Sequence, residues 1–127
     1  KEYRLIGIDA PELKQCKKLM NDEIELGLPS EFLQKIAIDS LEHLKKIAPI
    51  NTKIDLYQEK NIDKDIFNRT LVYAFLSPFK LINSEMVASG FAKAYSKRKC
   101  LITKELVSLQ IQAKSTKSGI YKLIDKF

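Results

Sequence analysis

The sequence predicts an α+β domain with a largely antiparallel sheet. Three features carry that expectation: short apolar runs rich in β-branched and aromatic residues, one long stretch of helical apolar spacing, and no regular strand–helix–strand alternation. With 127 residues, 45% of them hydrophobic, the chain is long enough for one domain with its own core and too apolar for disorder. No apolar run approaches the ~18–20 residues that a membrane span requires. The chain opens on Lys1-Glu2-Tyr3 without a secretory leader, which decides nothing about its compartment.

The first element is a strand through Arg4-Leu5-Ile6-Gly7-Ile8-Asp9, stopped by Pro11. One guanidinium and two carboxylates, Arg4, Asp9 and Glu12, crowd around its end. Arg suits a phosphate, Asp a hard metal ion and Glu a base, so the segment points to phosphodiester chemistry. In a regular strand Arg4 and Asp9 would face opposite sides, and a bulge or bend near Gly7 is needed to bring them together. The alternative is an edge strand with solvated charges and an ordinary turn at Pro11.

Residues 13–28 show mixed charge without a period and are expected to form a loop. Pro29-Ser30 then opens a helix, with Ser30 as its cap, Glu31 at its positive end and Lys45-Lys46 at its negative end. Leu33, Ile36, Ala37, Leu41, Leu44 and Ile47 form its expected buried stripe, and Pro49 limits it. Strands follow at Lys53–Gln58 and Thr70–Leu76, separated by a long charged turn, Glu59–Asn68. Pro78-Phe79-Lys80-Leu81 reads as a turn and a short strand. Asn83 is expected to cap a second helix, Ser84 to Ser89, with Gly90 closing it. A third helix starts after Thr103 and runs through Leu106, Leu109, Gln110 and Ala113.

The net charge of +6 is uneven. From Lys80 onward ten basic residues face three acidic ones, densest at Lys93, Lys97, Arg98, Lys99 and Lys104, whereas the first 79 residues are close to neutral. A polyanion such as nucleic acid is the natural partner, bound more weakly as salt rises. A general lysine-rich bias is the plainer account of the same numbers. Cys16 and Cys100 are too few for a zinc site and leave open one disulfide or two free thiols. The single histidine, His43, sits at the edge of the helical stripe and is expected to be packed rather than catalytic. Arg69 stands where the charged turn becomes an apolar strand, mirroring Arg4, and Asn68 before it tolerates a left-handed backbone.

Four segments, in order, resemble the staphylococcal nuclease (thermonuclease) family. They are Arg4–Glu12, Asp65–Tyr73 (like Asp-x-Tyr-Gly-Arg-x-Leu-x-Tyr), Asn83–Ala92 with Val87, Gly90 and Ala92, and Gln112-Ala113-Lys114 followed by Gly119-Ile120-Tyr121. The resemblance spans nearly the whole chain as a single domain, 1–127. It implies a five-stranded oligonucleotide-binding (OB-fold) barrel with three helices that cuts DNA and RNA with Ca2+. It also implies roles: Asp9 as a metal ligand with the Ala10 carbonyl as a second, Glu12 as general base, and Arg4 and Arg69 as phosphate-holding catalytic arginines. Lys93, Lys97, Arg98, Lys99 and Phe67 become nucleic-acid-binding candidates, because such barrels line their groove with basic and aromatic side chains. A monomer with no membrane association, secreted or periplasmic, is the accompanying expectation.

The sequence departs from the family pattern in three ways. The first two strands, with an Asp-Gly-Asp motif that carries another metal ligand, have no counterpart, so the domain is expected to be N-terminally incomplete. Phe67 replaces the loop tyrosine and its hydroxyl. Asn68 replaces glycine and Tyr121 replaces tryptophan. The alternative function is therefore a nucleic-acid-binding or scaffold module of the same fold with impaired catalysis.

Overall fold

The computed structural model describes residues 3–11, 29–60, 62, 64, 65, 67–124 and 127. The run expected to form one strand is two: β1, Tyr3–Leu5, and β2, Ile8–Asp9. Gly7 separates them with a φ of +82°, a left-handed conformation that an L side chain resists. A Cβ at Gly7 would also lie 2.8 Å from Leu106 Cδ1 and 2.9 Å from Cys100 Sγ. The turn is thus fixed twice, by backbone conformation and by close packing.

Helix α1 spans Ser30–Ile47, with Pro29 at the N-cap position and Lys45 and Lys46 in the last turn. Ser30 is the first helical residue rather than the cap, since the extended backbone of Pro29 (φ −62°, ψ 149°) already enters the helix and its carbonyl accepts from Leu33. Leu33, Ile36 and Ala37 are buried as the periodicity requires. Leu41 is exposed instead, and Ser40 takes the buried place. Ser40 lies on the same face as Ile36, four residues earlier, and its hydroxyl donates to the Phe91 carbonyl at 2.7 Å, which satisfies a polar group in that position.

Strand β3, Asp55–Tyr57, and strand β4, Thr70–Ser77, are antiparallel, with Leu56 opposite Ala74. A turn at Pro78-Phe79 returns the chain as β5, Lys80–Leu81, which also pairs with β4. Helix α2, Ile82–Ala88, follows directly and stops at Gly90, φ +82°. Strand β6, Lys93–Ala94, pairs antiparallel with β2, placing Asp9 opposite Lys93. Helix α3, Thr103–Ser115, and a short 3-10 turn, Gly119–Lys122, complete the chain.

Asn83 corrects the cap expectation. It lies inside the first turn of α2 and is fully buried. Its amide donates to the carbonyls of Ile6 (2.9 Å) and Val72 (3.1 Å) and accepts from the Ala74 amide (3.0 Å). A side chain that reads as a cap in sequence instead ties β1, β4 and α2 together, next to the turn at Gly7. Three satisfied hydrogen bonds make an amide tolerable in that place.

The four-stranded sheet has the order β1-β4-β3, with β5 also on β4, and β2-β6 form a separate pair. The β1–β4 pairing is parallel, with Arg4 beside Leu71, while the other pairings are antiparallel. Strand β4 is the centre. Residues Thr70 to Ala74 are buried in succession because both faces are covered. Leu71 and Tyr73 join Ile6 on one face, and Ala74 joins Ile8, Ile82, Met86, Val87, Ala92 and Leu106 in the main core. A second core cluster packs α1 on the C-terminal segment through Leu33, Ile36, Ala113, Ile120 and Tyr121. The domain is thus a mixture of helices and strands. The described strands do not close into a five-stranded barrel, because β1 and β3 stand at opposite edges of their sheet. Among the described residues no helix is long and apolar enough to cross a membrane.

Candidate active site

The break at Gly7 resolves the parity conflict between Arg4 and Asp9. With β1 on β4 and β2 on β6, the two residues line one hollow of about 260 Å³ with Tyr3, Leu5, Ile8, Ala10 and Pro11. The Arg4 guanidinium reaches back to the Ile8 carbonyl at 3.4 Å and lies 5.3 Å from the centroid of the Tyr95 ring. Tyr95 is itself anchored by its backbone amide to the Gly7 carbonyl at 2.8 Å. A cation over a ring face and one long hydrogen bond orient the fork without using up its donors. Asp9, 9% exposed, lines the same hollow. Glu12, the expected base, lies outside the described residues, as do Cys16 and residues 13–28.

Arg69 is organised by its own loop. Asp65 accepts hydrogen bonds from the backbone amides of Phe67 and Arg69, both 2.9 Å, through one oxygen, and from the Arg69 Nε at 2.7 Å through the other. Burial alone would push the Asp65 carboxyl up. The amide and guanidinium of Arg69 and the amide of Phe67 outweigh it and hold the group below its ordinary value. Asn68 takes the left-handed conformation expected of it, φ +61°, and makes room for this turn. Phe67 is largely exposed, and the Arg69 guanidinium lies 5.4 Å from its ring centroid. The β1–β4 register sets Arg4 beside Leu71, two residues beyond Arg69, so both arginines belong to the same end of the paired strands.

The basic candidates divide. Lys97, Arg98 and Lys99 are exposed, and Arg98 donates to the Lys64 carbonyl at 3.0 Å, which lays this segment over the loop that leads to Arg69. Lys93 instead pairs in register with Asp9, and its ammonium sits 5.5 Å from the Phe127 ring centroid. Asp65 and Tyr95, which contact the two candidate arginines, are residues that inspection of single positions does not single out. Asp65 has a signal, an acid followed four residues later by Arg at a turn, and Tyr95 has one, an aromatic inside a basic run.

The donors near Arg4 fit a hard cation in kind, since Asp9 and the Ala10 carbonyl are oxygen ligands. Among the described residues no group of three or more His, Cys, Asp or Glu side chains comes together, so these donors alone fall short of the six to eight oxygens that such an ion takes. His43 is packed as expected, stacked on Phe91 with ring centroids 4.5 Å apart, and Cys100 is a half-buried free thiol. No curated protein matches this chain. A family model described as staphylococcal nuclease homologue matches residues 2–123, nearly the whole length, and the chain belongs to that family.

Proposed function

We propose that the protein is a Ca2+-dependent, sugar-nonspecific nuclease that hydrolyses phosphodiester bonds of DNA and RNA. The observation that carries this reading is the turn at Gly7, which gathers Arg4 and Asp9 into one hollow with Arg69 at the neighbouring strand end. Two guanidinium forks at one end of a sheet suit a phosphoryl group, whose charge grows as water attacks. Arg4 offers its fork with a ring and a carbonyl behind it, and Arg69 is aimed by Asp65. Glu12, three residues beyond Asp9, is the base assigned to take the proton from water. Asp9 and the Ala10 carbonyl would hold the cation in part. Bound there, Ca2+ would supply positive charge to the reacting phosphate. Lys97, Arg98, Lys99 and Phe67 would guide a single strand toward this end, the lysines and arginine on phosphates and the ring on a base. The oligonucleotide-binding architecture of the family, a monomeric state and a secreted or periplasmic setting belong to this reading.

The test is cleavage of labelled DNA and RNA with Ca2+ and with chelator. Glu12→Gln should lower the rate by about 10²–10⁴-fold, the contribution of a positioned base. Arg69→Ala should cost about 10²-fold or more, as loss of a transition-state donor does. Wild-type rates in either variant would sink the mechanism. A second reading is a nucleic-acid-binding or scaffold module of the same fold with impaired catalysis. Salt-sensitive binding with no cleavage at any Ca2+ concentration would establish it.

A further inference from the structure

We propose that Glu59 is a positioning residue for nucleic-acid binding, holding the basic segment 97–99 against the loop that carries Arg69. One carboxylate oxygen of Glu59 accepts two hydrogen bonds from different parts of the fold. The Tyr73 hydroxyl in β4 donates at 2.5 Å, and the Leu101 backbone amide donates at 2.8 Å. The first bond fastens Glu59 to the central strand. The second fastens to Glu59 the chain that has just left Lys97, Arg98 and Lys99.

The neighbouring contacts all act in the same sense. The Arg98 guanidinium donates to the Lys64 carbonyl, and Lys64 bridges to Thr70 at the start of β4. The Thr103 hydroxyl accepts from the Cys100 amide at 2.8 Å, so the segment is pinned to the start of α3 immediately after Leu101. The basic segment is therefore fixed at three successive points, residues 98, 100 and 101. Glu59 is the one that reaches the strand core. Burial first, then Glu59 and the Cys100 thiol, raise the Tyr73 hydroxyl far above its ordinary range, so it stays a donor at any physiological pH.

The placement is notable in charge terms. A carboxylate tied to Leu101, two residues beyond Lys99, adds nothing to the attraction of the basic segment for phosphate, so what Glu59 contributes is geometry rather than field. A basic segment already held in place loses less conformational freedom when it meets a phosphate chain, so tethering favours binding. This assignment rests on the nucleic-acid reading of the preceding subsection.

Glu59→Ala and Glu59→Gln separate the two effects, because both remove the charge and only Gln keeps an oxygen that accepts from Tyr73 and Leu101. With a labelled single-stranded DNA oligonucleotide at fixed salt, Glu59→Ala should raise Kd and KM about tenfold, the scale of one lost charged hydrogen bond, with kcat nearly unchanged. Glu59→Gln should stay near the parent. Tyr73→Phe removes the bond that fastens Glu59 to β4 and keeps the Leu101 bond, so it should raise Kd in the same direction as Glu59→Ala but by less. Amide exchange at Leu101 should quicken in Glu59→Ala and not in Glu59→Gln. Equal shifts in Kd for Glu59→Ala and Glu59→Gln, or unchanged exchange at Leu101 in Glu59→Ala, would overturn the proposal. A parent protein that binds the oligonucleotide but does not cleave it would defeat the nuclease reading alone, and Kd would still decide the role of Glu59. A parent that binds no nucleic acid would overturn both.

Discussion

Arg4 and Arg69 stand at the same end of one sheet, yet they are held by different kinds of structure. Arg69 is organised within five residues: Asp65 receives the Phe67 and Arg69 amides and the Arg69 guanidinium, and Asn68 supplies the left-handed turn. Arg4 depends on distant parts of the chain. Its hollow exists because Gly7 breaks the strand, Asn83 ties Ile6 to β4 from 77 residues away, and Tyr95 backs the guanidinium. One arginine is placed by a local motif, the other by the core. Damage to the core should therefore disable Arg4 first, and damage to the loop should disable Arg69 without unfolding the protein.

The largest effect should come from Asn83→Ala. It leaves the Ala74 amide and the Ile6 carbonyl without the Asn83 partner in a fully buried place, while the Val72 carbonyl keeps the Ile6 amide. Buried groups left unpaired cost ~1–3 kcal/mol each and the losses are not additive, so about 3 kcal/mol is expected in denaturant titration. A loss below about 1 kcal/mol would remove the long-range half of the comparison. Gly7→Ala comes next, at about 1–3 kcal/mol, because the residue has a φ of +82° and its Cβ would press on Leu106 and Cys100. Cleavage should fall with stability in both variants, since the Arg4–Asp9 hollow is built on this turn.

Asp65→Ala sharpens the other half. The carboxylate serves only its own loop, so stability should fall by about 1–2 kcal/mol, less than in Asn83→Ala. The kcat/KM should nevertheless fall about tenfold or more as Arg69 loses its orientation. Asp65→Asn, which keeps an acceptor for the two amides, should recover part of the loss. An Asp65→Ala variant as active as the parent would show that the loop does not aim Arg69.

The smallest effect serves as a control away from both arginines. The Tyr121 hydroxyl is buried without a hydrogen-bond partner among the described residues, and burial pushes it up to about 12. A pKa raised on folding contributes stability that is complete below the ordinary tyrosine value of about 10 and is lost as pH rises toward 12. Tyr121→Phe should thus be nearly neutral at pH 7, flatten the stability decline above pH 10, and leave cleavage unchanged. A decline above pH 10 with unchanged slope in the variant would assign all of it to other groups, Tyr73 among them.

Much of the local structure was legible because the signals were local. Helix α3 begins at Thr103, a residue earlier than expected, Asn68 adopts the left-handed turn, and Gly90 ends α2, each decided by backbone preference within a few residues. The misplacements occurred where two readings share one local signal. Asn83 looks like a cap because asparagine favours caps, but the core offered it three backbone partners. Leu41 and Ser40 exchange places because the buried face of α1 was decided by the Phe91 carbonyl waiting opposite, not by hydropathy alone.

The sequence by itself determined the family, the helices, the central strand and the residue types of the candidate site. These follow from spacing, turn chemistry and ordered motifs along the chain. Tertiary structure alone decided that Arg4 and Asp9 share a hollow, that the described strands form two sheets, and that Glu59 joins β4 to the basic segment. The physical reason is range. A left-handed glycine announces that the chain turns, but where the turn points is fixed by Leu106, Cys100 and Asn83, which lie 76 to 99 residues away in the sequence.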